Sequence, residues 1–353
     1  MNNQKLETLK QLIASAELNG IWISNPENIN YLTGFLSNPH ERLLALLVTE
    51  DECTLFVPKM EVAAAKAVFK GTIIGYLDTD NPYLLREFGL SRLGIESGHL
   101  TVARLEQLKQ YFSVKETIAI DQSIKDMRNI KTAEEISILK EAARYADEAV
   151  RLGAANLRAG ISEIEVVRSI ENKMLAIDGI TAMSFDTMVL FGDHAASPHG
   201  TPGSRTLKEG DYVLFDLGVV YKGYCSDITR TLAFGETSEL HNQVHAIVTE
   251  ANRRAIELVK PGVRIADIDA AARDYIKEQG YGEEFPHRLG HGLGISVHEF
   301  PDISSANEDV LKEGMVFTIE PGVYVAGEVG VRVEDDILVT KEGYEVLTHY
   351  PKS

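Results

Sequence analysis

The sequence is poor in cysteine and comparatively poor in cations. Its two cysteines, Cys53 and Cys225, are too few for a disulfide framework and too far apart for a paired zinc motif. Both are therefore expected to be small buried hydrophobes in a reducing compartment. Lysine and arginine number 35 against 53 aspartates and glutamates, which gives a net charge of -18. This balance argues against a nucleic-acid partner, which requires a basic face.

The chain also lacks long apolar runs and several common catalytic motifs. No window approaches the ~18 apolar residues of a membrane span, and the opening MNNQKLETLKQLIASAELNG is too polar for a signal peptide. The motifs HExxH and GxSxG, a phosphate-binding loop, and GxGxxG after a strand are absent. With 353 residues, 44% hydrophobic and 25% charged, the sequence predicts a soluble cytoplasmic protein of two domains, without a membrane partner.

The first part of the chain predicts a small α/β domain. A helical apolar pattern precedes the strand-like IWIS, and the runs LLALLV (43–48) and CTLFVP (53–58) flank a turn as a hairpin. Thr132 stands three residues before Glu135 and ahead of an apolar helical pattern, which is a capping box at the start of a long helix. We therefore predict domains 1–127 and 128–353.

The second domain contains an internal repeat. LKEG occurs twice, leading first into DYVLFDLGVVY and then into MVFTIEPGVYV. Asp216 and Glu320 consequently occupy equivalent places, 320 − 216 = 104 residues apart. Upstream, RAGISEIEVVRSIENKMLAIDG resembles KPGVRIADIDAAARDYIKEQG, so each half reads as helix, glycine turn, helix and strand pair. Two such halves, facing each other, would bring matching acids to one centre.

Four acids and a histidine form the candidate metal site. Asp216 and Asp227 are spaced for facing positions on a hairpin, and Glu320 and Glu334 flank another glycine-containing turn. A carboxylate inside an apolar strand is costly unless it is paired or binds metal. Together with His291, which lies among glycines, these acids favour Mn²⁺, Co²⁺ or Zn²⁺. Two ions bridged by carboxylates would account for so many acids and could activate water.

Each residue also has an ordinary interpretation. A single aspartate such as Asp227 is more often an edge or turn residue than a ligand. His298 follows Ile295 and Val297 on alternating positions and could be a satisfied surface histidine on a strand. His199 lies in the loop SPHGTPGS, where catalytic and unremarkable residues are both common. The combination of residues, rather than any one of them, favours the catalytic interpretation.

Several motifs in order resemble one enzyme family. FDLG, SDITRT, GHGLGISVHEFP, TIEPGVY and GVRVEDD resemble the creatinase-type "pita-bread" metallopeptidases, especially Xaa-Pro dipeptidases (prolidases) and aminopeptidase P. NPENINYLTGF and RNIKTAEEI extend the resemblance to the N-terminal domain and the start of the catalytic domain. The resemblance implies an α/β (α+β) chain, with a pita-bread catalytic domain of two pseudo-symmetric halves. It also implies a homodimer that hydrolyses peptides with proline in second position, with two divalent ions, manganese first among them.

The resemblance also implies individual roles. Asp216 and Asp227 would bind one ion, His291 and Glu320 would help to bind the second, and Asp227 and Glu334 would bridge them. Glu320 would also shuttle the proton of the attacking water. The substrate-facing histidines would be His199 and His298. His298 would donate a hydrogen bond to the tetrahedral intermediate, where such donors contribute most.

One position departs from the family pattern. Some prolidases carry an arginine four residues after the second histidine, suited to a dipeptide's carboxylate, and here that place is Asp302. Arg332 could orient the acids or meet substrate instead. The charged segment containing His40 and Arg42 could supply a cation from the other subunit of a dimer, although an ordinary solvated loop explains it about as well.

The sequence favours an Xaa-Pro dipeptidase, and alternative functions remain open. They are an aminopeptidase P acting on longer peptides, a creatinase-like hydrolase that works without metal, an inactive binding module, and a methionine aminopeptidase. The intact set of five candidate ligands argues against the metal-free and inactive alternatives.

Overall fold

The computed structural model describes the backbone of residues 3–352 and the side chains from residue 5. It contains two compact units, Met1–Met127 and Arg128–Ser353. Across the described residues, every helix is too short or too polar to cross a lipid bilayer.

The first unit is a mixed sheet with helices. The helices are α1 Asn3–Ser15, α2 Pro26–Thr33, α3 Val62–Val68, α4 Val102–Phe112 and α5 Asp121–Asn129, the last of which extends two residues beyond the unit. The strands are β1 Gly20–Ile23, β2 Ala45–Val48, β3 Cys53–Pro58, β4 Thr72–Tyr76, β5 Arg92–Ile95 and β6 Glu116–Ala119, in the order β4-β3-β2-β1-β5-β6. The predicted hairpin is confirmed as the antiparallel pair β2 and β3, and its first strand begins two residues later than predicted. Cys53 is buried, as expected.

The second unit contains four long helices and thirteen strands among the described residues. The helices are α6 Ala133–Ala155, α7 Glu163–Met174, α8 Glu239–Glu257 and α9 Ile265–Glu278. The strands of its first part are β7 Ile180–Met183, β8 Met188–Phe191, β9 Tyr212–Leu217, β10 Val219–Tyr221, β11 Tyr224–Cys225 and β12 Ile228–Ala233. The strands of its second part are β13 Gly290–Gly292, β14 Glu299–Ile303, β15 Val316–Ile319, β16 Gly322–Val325, β17 Val329–Arg332, β18 Asp335–Val339 and β19 Tyr344–Val346.

The predicted capping box opens α6. The Glu135 carboxylate accepts a hydrogen bond from the Thr132 N–H at 2.7 Å, and the Thr132 hydroxyl accepts one from the Glu135 N–H at 3.3 Å. Two N–H groups that the helix cannot pair internally are thereby satisfied, which fixes where α6 starts.

The sheets of the second unit repeat one arrangement. The first part forms the sheet β12-β9-β8, and the second forms β14-β13-β15-β18-β19, with the smaller sheets β11-β10-β7 and β16-β17 beside them. Gly160 and Gly262 both have φ near +85°, at +85° and +86°, a conformation that side chains disfavour. Each donates its N–H to the leucine of the following LKEG, at 2.9 Å to Leu207 and 2.8 Å to Leu311. The sequence repeat is therefore also a repeat of backbone geometry.

Equivalent residues of the two halves meet each other. Phe215 pairs with Arg230 in the first half, and Ile319 pairs with Asp335 in the second, so Arg230 and Asp335 occupy matching places. The Arg230 guanidinium donates to the Asp335 carboxylate at 2.7 Å, and both side chains are fully buried. Contact between equivalent positions is expected at a two-fold axis. This contact between Arg230 and Asp335 marks what we call the axis between the halves.

Three details of the predicted strands are wrong. Asp216 faces Thr229 across β9 and β12, and Asp227 lies just before β12, because the intervening residues form the separate hairpin β10–β11. His298 does not occupy an alternating strand position, since β14 begins at Glu299 and the preceding residues bend. Glu320 and Glu334 likewise lie outside the strands, next to the ends of β15 and β18.

Candidate metal centre and active site

One cavity of the second unit collects the predicted catalytic residues. Its volume is about 660 Å³. Eight predicted site residues line it, with contributions from both halves: His199, Asp216, Asp227, His291, His298, Glu320, Arg332 and Glu334. The other lining residues are Phe185, Met188, Pro198, Pro286, His287, Arg288 and Val297. The cavity therefore combines an acidic floor with histidines, arginines and apolar side chains.

Three of the five candidate ligands form a tight buried group. Ligand atoms of Asp227, His291 and Glu334 all lie within 4.8 Å of one another. His291 Nε2 is 3.7 Å from Asp227 Oδ2 and 3.5 Å from Glu320 Oε1. Asp216 and Glu320 line the same cavity but lie outside this tightest group.

The His291 ring presents a lone pair to these acids. Its Nδ1 lies 3.1 Å from the Gly292 carbonyl oxygen, which can only accept, so we assign the proton to Nδ1. Burial, and then the nearby His298, lower the pKa of His291 to about 3, so the ring is neutral. Nε2 is thus an acceptor that faces carboxylate acceptors. Acceptors that face one another are unfavourable by themselves. A ring with its proton on Nδ1 and a lone pair on Nε2 is, however, the tautomer that binds metal.

The buried acids near His291 also lack enough positive charge to balance them. Burial, and then the charge of Glu334, raise the pKa values of Asp227 and Glu320 well above their ordinary range. Asp227 Oδ1 and Glu334 Oε1 are buried without a hydrogen-bond partner among the described residues. Buried carboxylates in this state need a cation. The donor set of oxygens and one imidazole fits Mn²⁺, Co²⁺ or Zn²⁺.

Arg332 holds several of the acids in place. Its Nε donates to the Thr229 hydroxyl at 3.1 Å, and Thr229 in turn donates to Glu334 Oε2 at 2.7 Å. Its Nη1 donates to the Tyr324 hydroxyl at 2.7 Å, and its Nη2 donates to Asp216. All three guanidinium nitrogens therefore have protein partners, and the side chain is only 6% exposed.

The two other predicted histidines lie where a substrate could reach them. The His298 ring centroid is 4.3 Å from that of His291, nearly perpendicular to it. Burial, and then Arg288, lower the pKa of His298, so its ring is neutral near pH 7. His199 is exposed on a loop that the buried Glu163 carboxylate holds at both ends, through the N–H groups of Phe191 (2.9 Å) and Gly203 (3.0 Å).

Family models show to which protein family the chain belongs. The model of metallopeptidase family M24 matches residues 137–341, and the model of the creatinase/prolidase N-terminal domain matches residues 5–130. The chain belongs to metallopeptidase family M24. The predicted family, the α/β fold class and the prediction of a peptidase are thereby confirmed.

Relatives of this M24 peptidase match it along its whole length. An uncharacterized peptidase of Staphylococcus aureus is 54% identical over 350 residues, which are 99% of either chain. The solved prolidase of Pyrococcus horikoshii superposes with a TM-score of 0.93 at 37% identity, covering 99% of both chains. The Xaa-Pro dipeptidase of Bacillus anthracis superposes with a TM-score of 0.91, also at 37% identity, over 99% of this chain and 98% of that one.

The two predicted substrate residues of the first unit lie in a loop, as expected. His40 is exposed. The Arg42 guanidinium is engaged by Asp78, with Nε 2.8 Å from Oδ1 and Nη2 3.1 Å from Oδ2. A role in trans would require Arg42 to exchange this partner, and it stays a prediction for the M24 peptidase.

Sequence reasoning missed several residues of the site. Thr229 and Tyr324 position the acids and Arg332, and Arg288 lines the cavity. Thr229 could have been found, because a hydroxyl two residues after Asp227 shares its face of an extended chain. The places of Tyr324 and Arg288 depend on packing between distant segments, which no local pattern of the M24 peptidase sequence reports.

Proposed function

We propose that this M24 peptidase is an Xaa-Pro dipeptidase that uses two divalent ions, manganese first among them. The observation that carries the proposal is the cluster of Asp227, His291 and Glu334, whose buried acceptor atoms face one another. The prolidase and the Xaa-Pro dipeptidase with TM-scores of 0.93 and 0.91 support the choice of substrate. A cytoplasmic homodimer is part of the same proposal: the two cysteines favour a reducing compartment, and the dimer is what the family resemblance implies.

Five residues would hold the ions. They would be the four acids and His291, and Asp227 and Glu334 would each serve both ions: Asp216, Asp227, His291, Glu320 and Glu334. When bound, the ions supply Lewis acidity, which polarises the scissile carbonyl and favours ionisation of the attacking water. Thr229 fixes the orientation of Glu334 by donating to its Oε2.

The remaining steps belong to side chains of the cavity. Glu320, 17% exposed, would take the proton of the attacking water and pass it to the departing proline nitrogen. His298 is neutral and can donate an N–H to the developing oxyanion, and His199 would contact substrate from the opposite half. We assign Arg332 a positioning role rather than substrate contact, because its three nitrogens are already engaged.

Metal reconstitution with three peptides tests the proposal. The full chain is stripped of metal, loaded with Mn²⁺, Co²⁺ or Zn²⁺, and assayed with Ala-Pro, Ala-Pro-Ala and Met-Ala. We expect hydrolysis of Ala-Pro by the loaded protein alone. Preference for Ala-Pro-Ala would indicate an aminopeptidase P, preference for Met-Ala a methionine aminopeptidase, and full activity of the stripped protein a creatinase-like hydrolase.

The bridging assignment has its own measurement. Asp227→Asn and Glu334→Gln should each lose both ions, because each carboxylate is proposed to contact both. Elemental analysis that finds two ions per chain in either variant contradicts the bridges.

A further inference from the structure

A dipeptide substrate requires a cation that the acidic cavity must provide. The α-carboxylate of a dipeptide lies close to the scissile bond, so it enters the cavity together with the reacting carbonyl. The charges of Asp216, Asp227, Glu320 and Glu334 would be balanced by the ions that they hold, so the substrate carboxylate, once it leaves water, needs a cationic partner of its own. The arginine that some prolidases carry four residues after the second histidine is replaced by Asp302. The proposed dipeptidase function, on which this inference rests, therefore needs another cation.

Two arginines line the cavity, and they differ in how many of their guanidinium nitrogens are available to a substrate. Arg332 is 6% exposed, and each of its three guanidinium nitrogens donates to a protein group. The Arg288 side chain is 41% exposed. Its guanidinium donates one hydrogen bond within the described part of the chain, from Nη1 to Asp302 Oδ1 at 2.9 Å. Nε and Nη2 remain available.

The available nitrogens form one edge of the guanidinium plane. Nε–H and Nη2–H point the same way and match the two oxygens of a carboxylate. A lysine at this position would present a point charge without that fork. Arg288 can therefore keep its bond to Asp302 through Nη1 and bind a carboxylate through its other edge.

Strand pairing explains how Asp302 contributes to this arrangement. Asp302 lies in β14 directly opposite His291 of β13, and Arg288 precedes His291 by three residues. Asp302 Oδ2 also accepts a hydrogen bond from the Ser304 hydroxyl at 2.5 Å, which holds the carboxylate in place. The acid that replaces the expected arginine thus anchors a different arginine, which comes from the neighbouring segment.

Arg288 also lies on the side of the cavity where the reaction is proposed to occur. Its positive charge lowers the pKa of His298, although less than burial does, so the two groups are within electrostatic range. A carboxylate held by Arg288 would be close to the proposed oxyanion donor. We propose that Arg288 is the specificity-determining residue that binds the α-carboxylate of the dipeptide, with Asp302 as its anchor.

Paired substrates test the assignment. Ala-Pro and its carboxyl-amidated analogue Ala-Pro-NH₂ differ only in the group that Arg288 would bind. With the metal-loaded full chain, Arg288→Ala should lower kcat/KM for Ala-Pro by roughly 10- to 100-fold, the scale of a charge-assisted hydrogen bond, mainly through KM. The amidated analogue should change less than about threefold. Arg288→Lys should lie between wild type and Arg288→Ala.

A matched arginine and the metal content serve as controls. Arg264 is similarly exposed, at 47%, and pairs with Asp267 and Glu308 away from the cavity, so Arg264→Ala should leave both substrates unchanged. All variants should contain as much metal as wild type.

The outcomes separate this proposal from the one on which it rests. Wild-type protein that cleaves Ala-Pro, combined with equal losses on both substrates or no loss in Arg288→Ala, overturns the role of Arg288 alone. Wild-type protein that does not cleave Ala-Pro with any of the three ions overturns the dipeptidase function, and this role with it.

Discussion

The two halves of the second unit share a backbone frame but carry different chemical groups. Phe191 pairs with Val213 in the first half and Gly292 with Phe317 in the second, and 317 − 213 = 104, the offset of the sequence repeat. The residue before each is therefore also equivalent. It is Leu190, fully buried among apolar side chains, in one half and His291 in the other.

The two halves therefore agree in backbone position and differ in the chemical groups placed there. The shared backbone frame places equivalent strands of the two halves alike. Asp216 and Glu320 occupy matching places in it, one as an aspartate and the other as a glutamate. The imidazole is supplied from one side only. Because Leu190 is a core residue, the proposed metal centre is asymmetric at this place, although β8 with β9 and β13 with β15 pair in the same register.

The largest expected effect comes from making the halves alike at this point. His291→Leu should remove an imidazole ligand, so metal and activity should be lost with it. The fall in metal affinity and activity should exceed the roughly 10- to 100-fold cost of losing an outer-shell partner. Elemental analysis and Ala-Pro turnover would measure it. Leu190→Met is the matched control and should retain both, because a volume-conserving change in a core costs less than ~1.5 kcal/mol. Full metal content in His291→Leu would refute its role as a ligand.

Much of this site could be predicted because its signals are local. Asp216 stands inside an apolar run, His291 stands among glycines, and the repeated LKEG shows which acids are equivalent. Helix starts were also readable, since the contacts of Thr132 with Glu135 span three residues.

The missed features depend on distant partners. Glu163 holds the His199 loop through the N–H of Gly203, 40 residues away. Arg288 is anchored for its proposed role by Asp302 on a neighbouring strand. The predicted pairing of Asp216 with Asp227 was wrong because the chain between them forms a hairpin in another sheet, and spacing alone does not reveal which strand receives those residues.

The next largest effect is expected from a substitution at the axis between the halves. Asp335 neutralises the buried Arg230, whose other donors bond to the carbonyls of Glu334 (2.5 Å) and Tyr350 (2.8 Å). Asp335→Asn should therefore lower the free energy of unfolding by about 3–5 kcal/mol, the cost of an unpaired buried charge. Urea unfolding would measure it.

An exposed pair supplies the control for the axis. Lys140 and Glu345 are 42% and 44% exposed, so Glu345→Gln should change the free energy of unfolding by about 0–1 kcal/mol. If Asp335→Asn were no more costly than Glu345→Gln, the equivalent residues at the axis would not be what joins the halves.

The smallest expected effect concerns β14, which together with β19 extends the sheet of the second half to five strands where the first half has three. Glu299 begins this strand and follows His298 directly. Its carboxylate accepts hydrogen bonds from Arg128 Nη2 at 2.5 Å and Lys131 Nζ at 3.1 Å, so the leading segment of the first half secures one of the two additional strands of the second. Burial raises the pKa of Glu299, but the charges of Lys131 and Arg128 outweigh it and lower the pKa to about 2 from 4.5.

A depressed pKa stabilises the folded state above the unfolded pKa, so the contribution is complete above about pH 4.5 and is lost as the pH falls toward 2. At about 1.36 kcal/mol for each pKa unit, it amounts to about 3 kcal/mol. Glu299→Gln should therefore be less stable than wild type by about that amount at pH 7, and the difference should shrink steadily below pH 4.5 in denaturant unfolding. Glu308→Gln, at an exposed pair with Arg264, should differ from wild type by less than about 1 kcal/mol at pH 7. A Glu299→Gln deficit that stays constant from pH 7 to pH 3 would show that shape rather than charge secures the strand carrying the histidine.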